Sequence, residues 1–208
     1  MTDPGAPPLP EWVAPALVEL AARCRGIVAT GLGVDLPEIR VEVVVVEPGQ
    51  ELVRTDYVDR IVVALAGADR VAPPPAGANL VYAVAHEVGH LAVVRRLPPG
   101  GRLAVVWDEA LAHHVAVDVV FPGLARLDPA DVWPGERRGW EERQGGFEVG
   151  HGVGDVRAGL ARATARVRAA AAGVGGTDEL LRRLAAGPAR DLELLRMERT
   201  LGRLASGR

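Results

Sequence analysis

The sequence predicts an α+β fold: one domain in which a small sheet follows an N-terminal helix and the second half is mostly helical. Three observations lead there. Two β-branched runs, residues 39–46 and 59–66, lie close together in the first third of the chain. The later periodic segments repeat at helical spacing. At 208 residues, 49% hydrophobic and 25% charged, the chain is long enough for one sizeable core and too short for two full-size enzyme domains.

From Glu11 to about Ala29 the apolar residues Val13, Ala16, Leu17, Leu20, Ala21 and Cys24 recur at helical spacing, and Gly31-Leu32-Gly33 supplies the stop. Ile39 to Val46 reads IRVEVVVV, alternating and then continuously β-branched, which predicts a strand with one end buried on both faces. A second strand is expected from Asp59 to Ala66, after Pro48-Gly49 and before Gly67. These elements make up residues 1–78, which end in the linker Pro73 to Ala78; Asn79 then stands as an N-cap. Residues 79–122 hold two helices: Leu80–Arg96, closed by Pro98 to Gly101, and a second from Trp107 or Asp108 to Phe121, closed by Pro122-Gly123. Residues 123–154, rich in Gly, Pro, Trp and charge, read as an irregular segment. Over 155–208 two Ala/Leu/Arg helices are expected, separated by Gly173 to Gly176 with Thr177 as cap.

A net charge of −3 gives no field to draw nucleic acid or anionic lipid. The basic C-terminal part, with eleven Arg against five acids from Arg157 on, reads as a solvated helical face or as a surface for an acidic partner. The lone Cys24 excludes an internal disulfide framework. The apolar stretch from Val13 to Val34 is broken by Pro15, Glu19, Arg23 and Arg25, which excludes a membrane span and a signal core there, and a cytoplasmic location is expected.

The chemistry lies in Tyr82-Ala-Val-Ala-His-Glu-Val-Gly-His90. On a helix, His86 and His90 sit one turn apart on one face and can bind a single metal ion, while Glu87, on a neighbouring stripe, reaches water beside that ion without being a ligand. Metal and carboxylate together yield a nucleophile at neutral pH. The alternative is a pair of hydrogen-bonded histidines in a packed helix. A catalytic site of this kind needs a third protein ligand and an open fourth position. Glu109, which follows His90 after eighteen intervening residues and lies near the start of the next helix, suits that place.

His86-Glu87-x-x-His90, the eighteen-residue gap, and Asp108-Glu109-Ala110-Leu111-Ala112 together resemble the zinc signature of the gluzincin metallopeptidases. The last segment is similar to that around the zinc-binding glutamate of the aminopeptidase branch. The likeness covers only the short stretch from His86 to Ala112. It implies a zincin-like fold, with a small twisted sheet over an active-site helix, one Zn2+ per chain on His86, His90 and Glu109, and Glu87 as general base. It also implies a strand bordering the cleft that pairs with extended substrate; Ile61 to Ala66 is the candidate, equally readable as purely structural.

Two departures limit the resemblance. The Gly-x-Met-Glu-Asn motif that reads a substrate's amino terminus in the aminopeptidase branch has no counterpart here, so that specificity does not carry over. The branch's oxyanion-stabilising Tyr follows the zinc ligands, whereas Tyr57 and Tyr82, the only tyrosines here, precede them. His151, in a Gly-rich turn downstream, is the substitute, as in thermolysin-like relatives, or else an ordinary loop histidine. His113, four residues after Glu109, would orient that carboxylate from behind or be an ordinary histidine. Tyr82 extends the histidine stripe and reads first as core, and Asp118 should turn away from the metal face. Arg138 and Arg143 could bind a substrate carboxylate or be plain surface charge.

The expected function is zinc-dependent hydrolysis of peptide bonds in a peptide or protein substrate, without a membrane or nucleic-acid partner. The alternatives are a non-catalytic zincin-fold binding protein and a zinc amidohydrolase acting on a small-molecule amide.

Overall fold

Apolar residues at helical spacing give the first helix its buried stripe: Val13, Leu17, Ala21, Cys24, Val28 and Leu32 all lie at 4% exposure or less. The computed structural model of the chain describes residues 9–47, 52–65, 78–97, 103–127, 154–188 and 194–206. Helix α1 runs over Val13–Leu32 and stops at Gly33, whose left-handed backbone ends the helix. The strands β1 (Arg40–Val45), β2 (Leu52–Thr55) and β3 (Arg60–Leu65) follow. The remaining described elements are helical: α2 (Ala78–Arg96), α3 (Val105–Val115), α4 (Phe121–Leu127), α5 (Gly154–Val174), α6 (Thr177–Ala186) and α7 (Leu194–Ala205). The expected α+β class, with a small sheet ahead of a mostly helical remainder, is what the chain adopts.

The three strands order as β1-β3-β2, with β1 parallel and β2 antiparallel to β3. The candidate cleft strand, Ile61 to Ala66, therefore overlaps the central strand, whose backbone is engaged on both sides, so it cannot take a substrate strand. The edge beside α2 belongs to β2, a four-residue strand that pairs Leu52 with Ala64 and Thr55 with Ile61. Nor is β1 buried on both faces as its valines suggested. It lies at the other edge, none of its residues is fully buried, and Val45 is exposed. The β-branched run reflects strand propensity here rather than double burial.

Helix α2 is the hub, packed against α1, α3 and β2. Residues 82 to 93 are buried on every face of it, so the motif lies in the core and not on a surface stripe. The helix begins at Ala78, one residue before the proposed cap Asn79. The next helical run also differs from its predicted end. After α3 the backbone winds through a π-helical turn, Ala116–Val120, and continues as α4 to Leu127, through Pro122-Gly123. Proline is tolerated because it enters the first turn after the widened one, where its missing N–H and ring bulk conflict least with the preceding carbonyls. Gly123 marks a close approach rather than a break, since a Cβ there would fall 2.3 Å from Ile27 Cγ2 on α1. Thr177 opens α6 without capping it, and its Oγ1 meets His114 Nε2 at 3.0 Å.

Candidate metal centre and catalytic residues

Gly89 sets the geometry of the site. A Cβ at this position would lie 2.6 Å from the Ala112 carbonyl oxygen and 3.0 Å from its Cα, so only glycine lets α2 and α3 cross backbone to backbone. That crossing brings Glu109, on the first turns of α3, over the face of α2 that carries His86 and His90.

His86 Nε2 lies 3.0 Å from His90 Nε2 and 3.0 Å from Glu109 Oε2, and His90 Nε2 lies 3.6 Å from Glu109 Oε1. Three ligand atoms on a tetrahedral zinc ion stand about 3.3 Å apart, so the observed separations fit a shared cation. His86, Glu87 and His90 also present ligand atoms within 4.8 Å of one another. Two carboxylates thus compete for the third ligand position, and their tethers separate them. Glu87 Oε2 accepts a 2.8 Å hydrogen bond from the Thr55 backbone N–H at the end of β2, while Glu109 points both oxygens at the histidines. Glu109 thus offers both oxygens to the histidines, whereas one oxygen of Glu87 is held by β2.

Both histidines turn Nε2 inward and keep Nδ1 for a partner behind. For His90 that partner is Asp108, whose Oδ2 lies 3.1 Å away, within ion-pair range but off the line of a hydrogen bond. For His86 it is the hydroxyl of Tyr82, at 3.3 Å. Burial lowers the His86 pKa against the pull of Glu109. Burial also depresses His90, but the Asp108 carboxylate beside it, with the charges of Glu109 and Glu87, more than offsets that and raises it. The Glu87 carboxyl is pushed up to about 7, chiefly by burial, against the lowering effect of His90.

Four expected site residues, His86, Glu87, His90 and Glu109, thus come together. His113, expected beside Glu109, is buried with its Nδ1 2.7 Å from Tyr82 Oη, and so reaches His86 through the tyrosine. Tyr82 is buried in the core as read, and its hydroxyl serves the site as well. Asp118 pairs with His114 at 2.6 Å and Arg168 at 3.4 Å, turned away from the candidate metal face as expected. His151, Arg138 and Arg143 lie outside the described residues.

Sequence reading missed Tyr57. Its hydroxyl donates to Asp108 Oδ2 at 3.1 Å, and its ring stands edge-on to His90 with centroids 5.4 Å apart. Its backbone is left-handed, φ 62°, the only non-glycine residue in that region among those described. The turn that holds it there is built by Thr55 Oγ1, which accepts from the Tyr57 N–H, and by Asp56 Oδ1, which accepts from the N–H groups of Val58, Asp59 and Arg60. No sequence motif indicated the direction of this turn toward α3.

Comparison with protein-family models, with curated proteins and with solved structures yielded no match to this chain.

Proposed function

We propose that this chain is a zinc-dependent metallopeptidase of gluzincin type, with a zincin-like fold, that hydrolyses peptide bonds with water. The observation that carries the reading is the convergence of His86 Nε2, His90 Nε2 and the Glu109 carboxylate at 3.0 to 3.6 Å, with a separately tethered carboxylate, Glu87, beside them. Those three side chains would hold one Zn2+. Zinc, when bound, supplies a Lewis acid that acidifies water and polarises a carbonyl.

The chain's own residues do the rest. Glu87 takes the proton from the attacking water and later delivers it to the leaving nitrogen, its orientation fixed by the Thr55 N–H. Asp108 and Tyr82 hold the imidazoles of His90 and His86 from behind. Tyr57, 43% exposed, gives its hydroxyl hydrogen to Asp108 and so braces the His90 side of the site, and His151 remains the oxyanion-stabilising candidate from sequence alone.

Peptide is the favoured substrate class because β2 ends at Glu87 through Thr55, and the outer edge of β2 has no strand partner among the described residues. An extended peptide could add there by main-chain hydrogen bonds. A purely structural metal site needs no base, so the tethered Glu87 speaks against a non-catalytic binding protein. No described helix is long and apolar enough to cross a membrane. The cytoplasmic location belongs to the same proposal and rests on sequence.

The test is Glu87→Gln. The variant is expected to keep its zinc and lose peptide hydrolysis by 100-fold or more, on the order of the 10²–10⁴ typical of a positioned proton carrier. Unchanged turnover in a zinc-loaded Glu87→Gln protein would remove this mechanism.

A further inference from the structure

The outward sides of the two zinc-facing histidines differ. His90 Nδ1 faces the Asp108 carboxylate. His86 Nδ1 faces a neutral hydroxyl, Tyr82 Oη at 3.3 Å, one turn back on the same helix with the two rings stacked at 5.5 Å. The same oxygen lies 2.7 Å from His113 Nδ1 on α3. All three side chains are buried, with Tyr82 at 2%, His86 at 3% and His113 at 8% exposure.

A phenol carries one hydrogen, so Tyr82 Oη donates to one of the two imidazole nitrogens and accepts from the other. The direction follows from the chemistry at the far end. A neutral imidazole that ligates through Nε2 carries its proton on Nδ1. The His86 Nδ1–H therefore donates to Tyr82 Oη, and the Tyr82 O–H donates to His113 Nδ1, whose own proton sits on Nε2. Burial pushes the His113 pKa down to about 4, which keeps it a neutral acceptor at physiological pH.

We propose that Tyr82 and His113 are positioning residues. They form a directed hydrogen-bond relay from α3 to α2 that holds His86 in the tautomer and orientation zinc requires, and thereby set zinc affinity at that ligand. The inference rests on the zinc-site reading above.

The test compares the full chain with Tyr82→Phe, His113→Gln and His113→Leu. Zinc affinity is measured by competition with a chromogenic chelator, and apo stability by thermal melting in excess chelator. Tyr82→Phe keeps the ring and loses only the hydroxyl. It is expected to bind zinc 10- to 100-fold more weakly while melting as the wild type does without metal. His113→Gln retains a carbonyl acceptor for the Tyr82 hydroxyl and should bind within a few-fold of wild type; His113→Leu should resemble Tyr82→Phe. In the zinc-loaded wild type the His86 Nδ1–H should give a slowly exchanging downfield proton resonance that Tyr82→Phe loses. If Tyr82→Phe binds zinc as tightly as wild type, or His113→Gln as weakly as His113→Leu, the relay is wrong and the zinc site stands. Should the wild type itself take no zinc, both fall together.

Discussion

Burial lifts the Glu87 carboxyl to about 7, so above that pH the metal-free protein carries a charge that its surroundings oppose. A carboxyl whose folded pKa lies above its ordinary 4.5 weakens the fold as pH rises from 4.5 to about 7, and by a constant amount beyond. Glu87→Gln removes that charge and keeps an oxygen to accept from Thr55. Without metal, the variant is expected to be more stable than wild type by roughly 1–3 kcal/mol at pH 8, with the gap nearly closed at pH 4.5. Denaturant titrations at both pH values check this; a gap that is largest at pH 4.5 would reverse the sign. The residue that weakens the fold when charged is thus the one the proposed mechanism needs charged. His86, Glu87, His90 and Glu109 were legible because their spacing on two helices fixes their faces. Tyr57 was not, because it arrives through a turn whose direction depends on Asp56, Thr55 and the pairing of β2, none of which has a period to read.

At the scale of elements, the α2–α3 crossing brings Glu109 to His86 and His90, and Gly89 permits it. Gly89→Ala would force a methyl against the Ala112 backbone at 2.6 Å, where no flexible side chain can give way. The expected cost is about 1–3 kcal/mol of stability and at least a tenfold loss of zinc affinity, as α3 moves and Glu109 with it. Melting curves and chelator competition on this variant measure both; a variant with wild-type stability and affinity would show that the crossing is not tight. The glycine stood in the motif, but its partner was invisible, since the contact is with backbone that carries no sequence signal. The same limit hid β2, four residues long and interrupted by Arg54, and left the central strand looking like an edge. Pro122-Gly123 read as a stop because both residues usually are, yet a π-helical turn and contact with Ile27 keep the helix running.

For the molecule as a whole, an all-round buried α2 puts the His86-Glu87-x-x-His90 motif in the centre of the core, packed against both β2 and α3. Helices α5 and α6 brace this from behind: Thr177 meets His114, Arg96 pairs with Asp178 at 2.8 Å, and Arg168 reaches Asp118. The order of helix, small sheet and helical remainder was legible because hydrophobic periodicity and β-branched runs are local. How the layers stack was not, being set by long-range contacts. The central claim is that His86, His90 and Glu109 form one zinc site, and it is tested most directly by elemental analysis of the purified protein beside Glu109→Ala. The account predicts about one zinc per wild-type chain and a variant that retains little or none under the same conditions. A wild type that takes up no zinc even after reconstitution, or a Glu109→Ala protein that holds it undiminished, would contradict it.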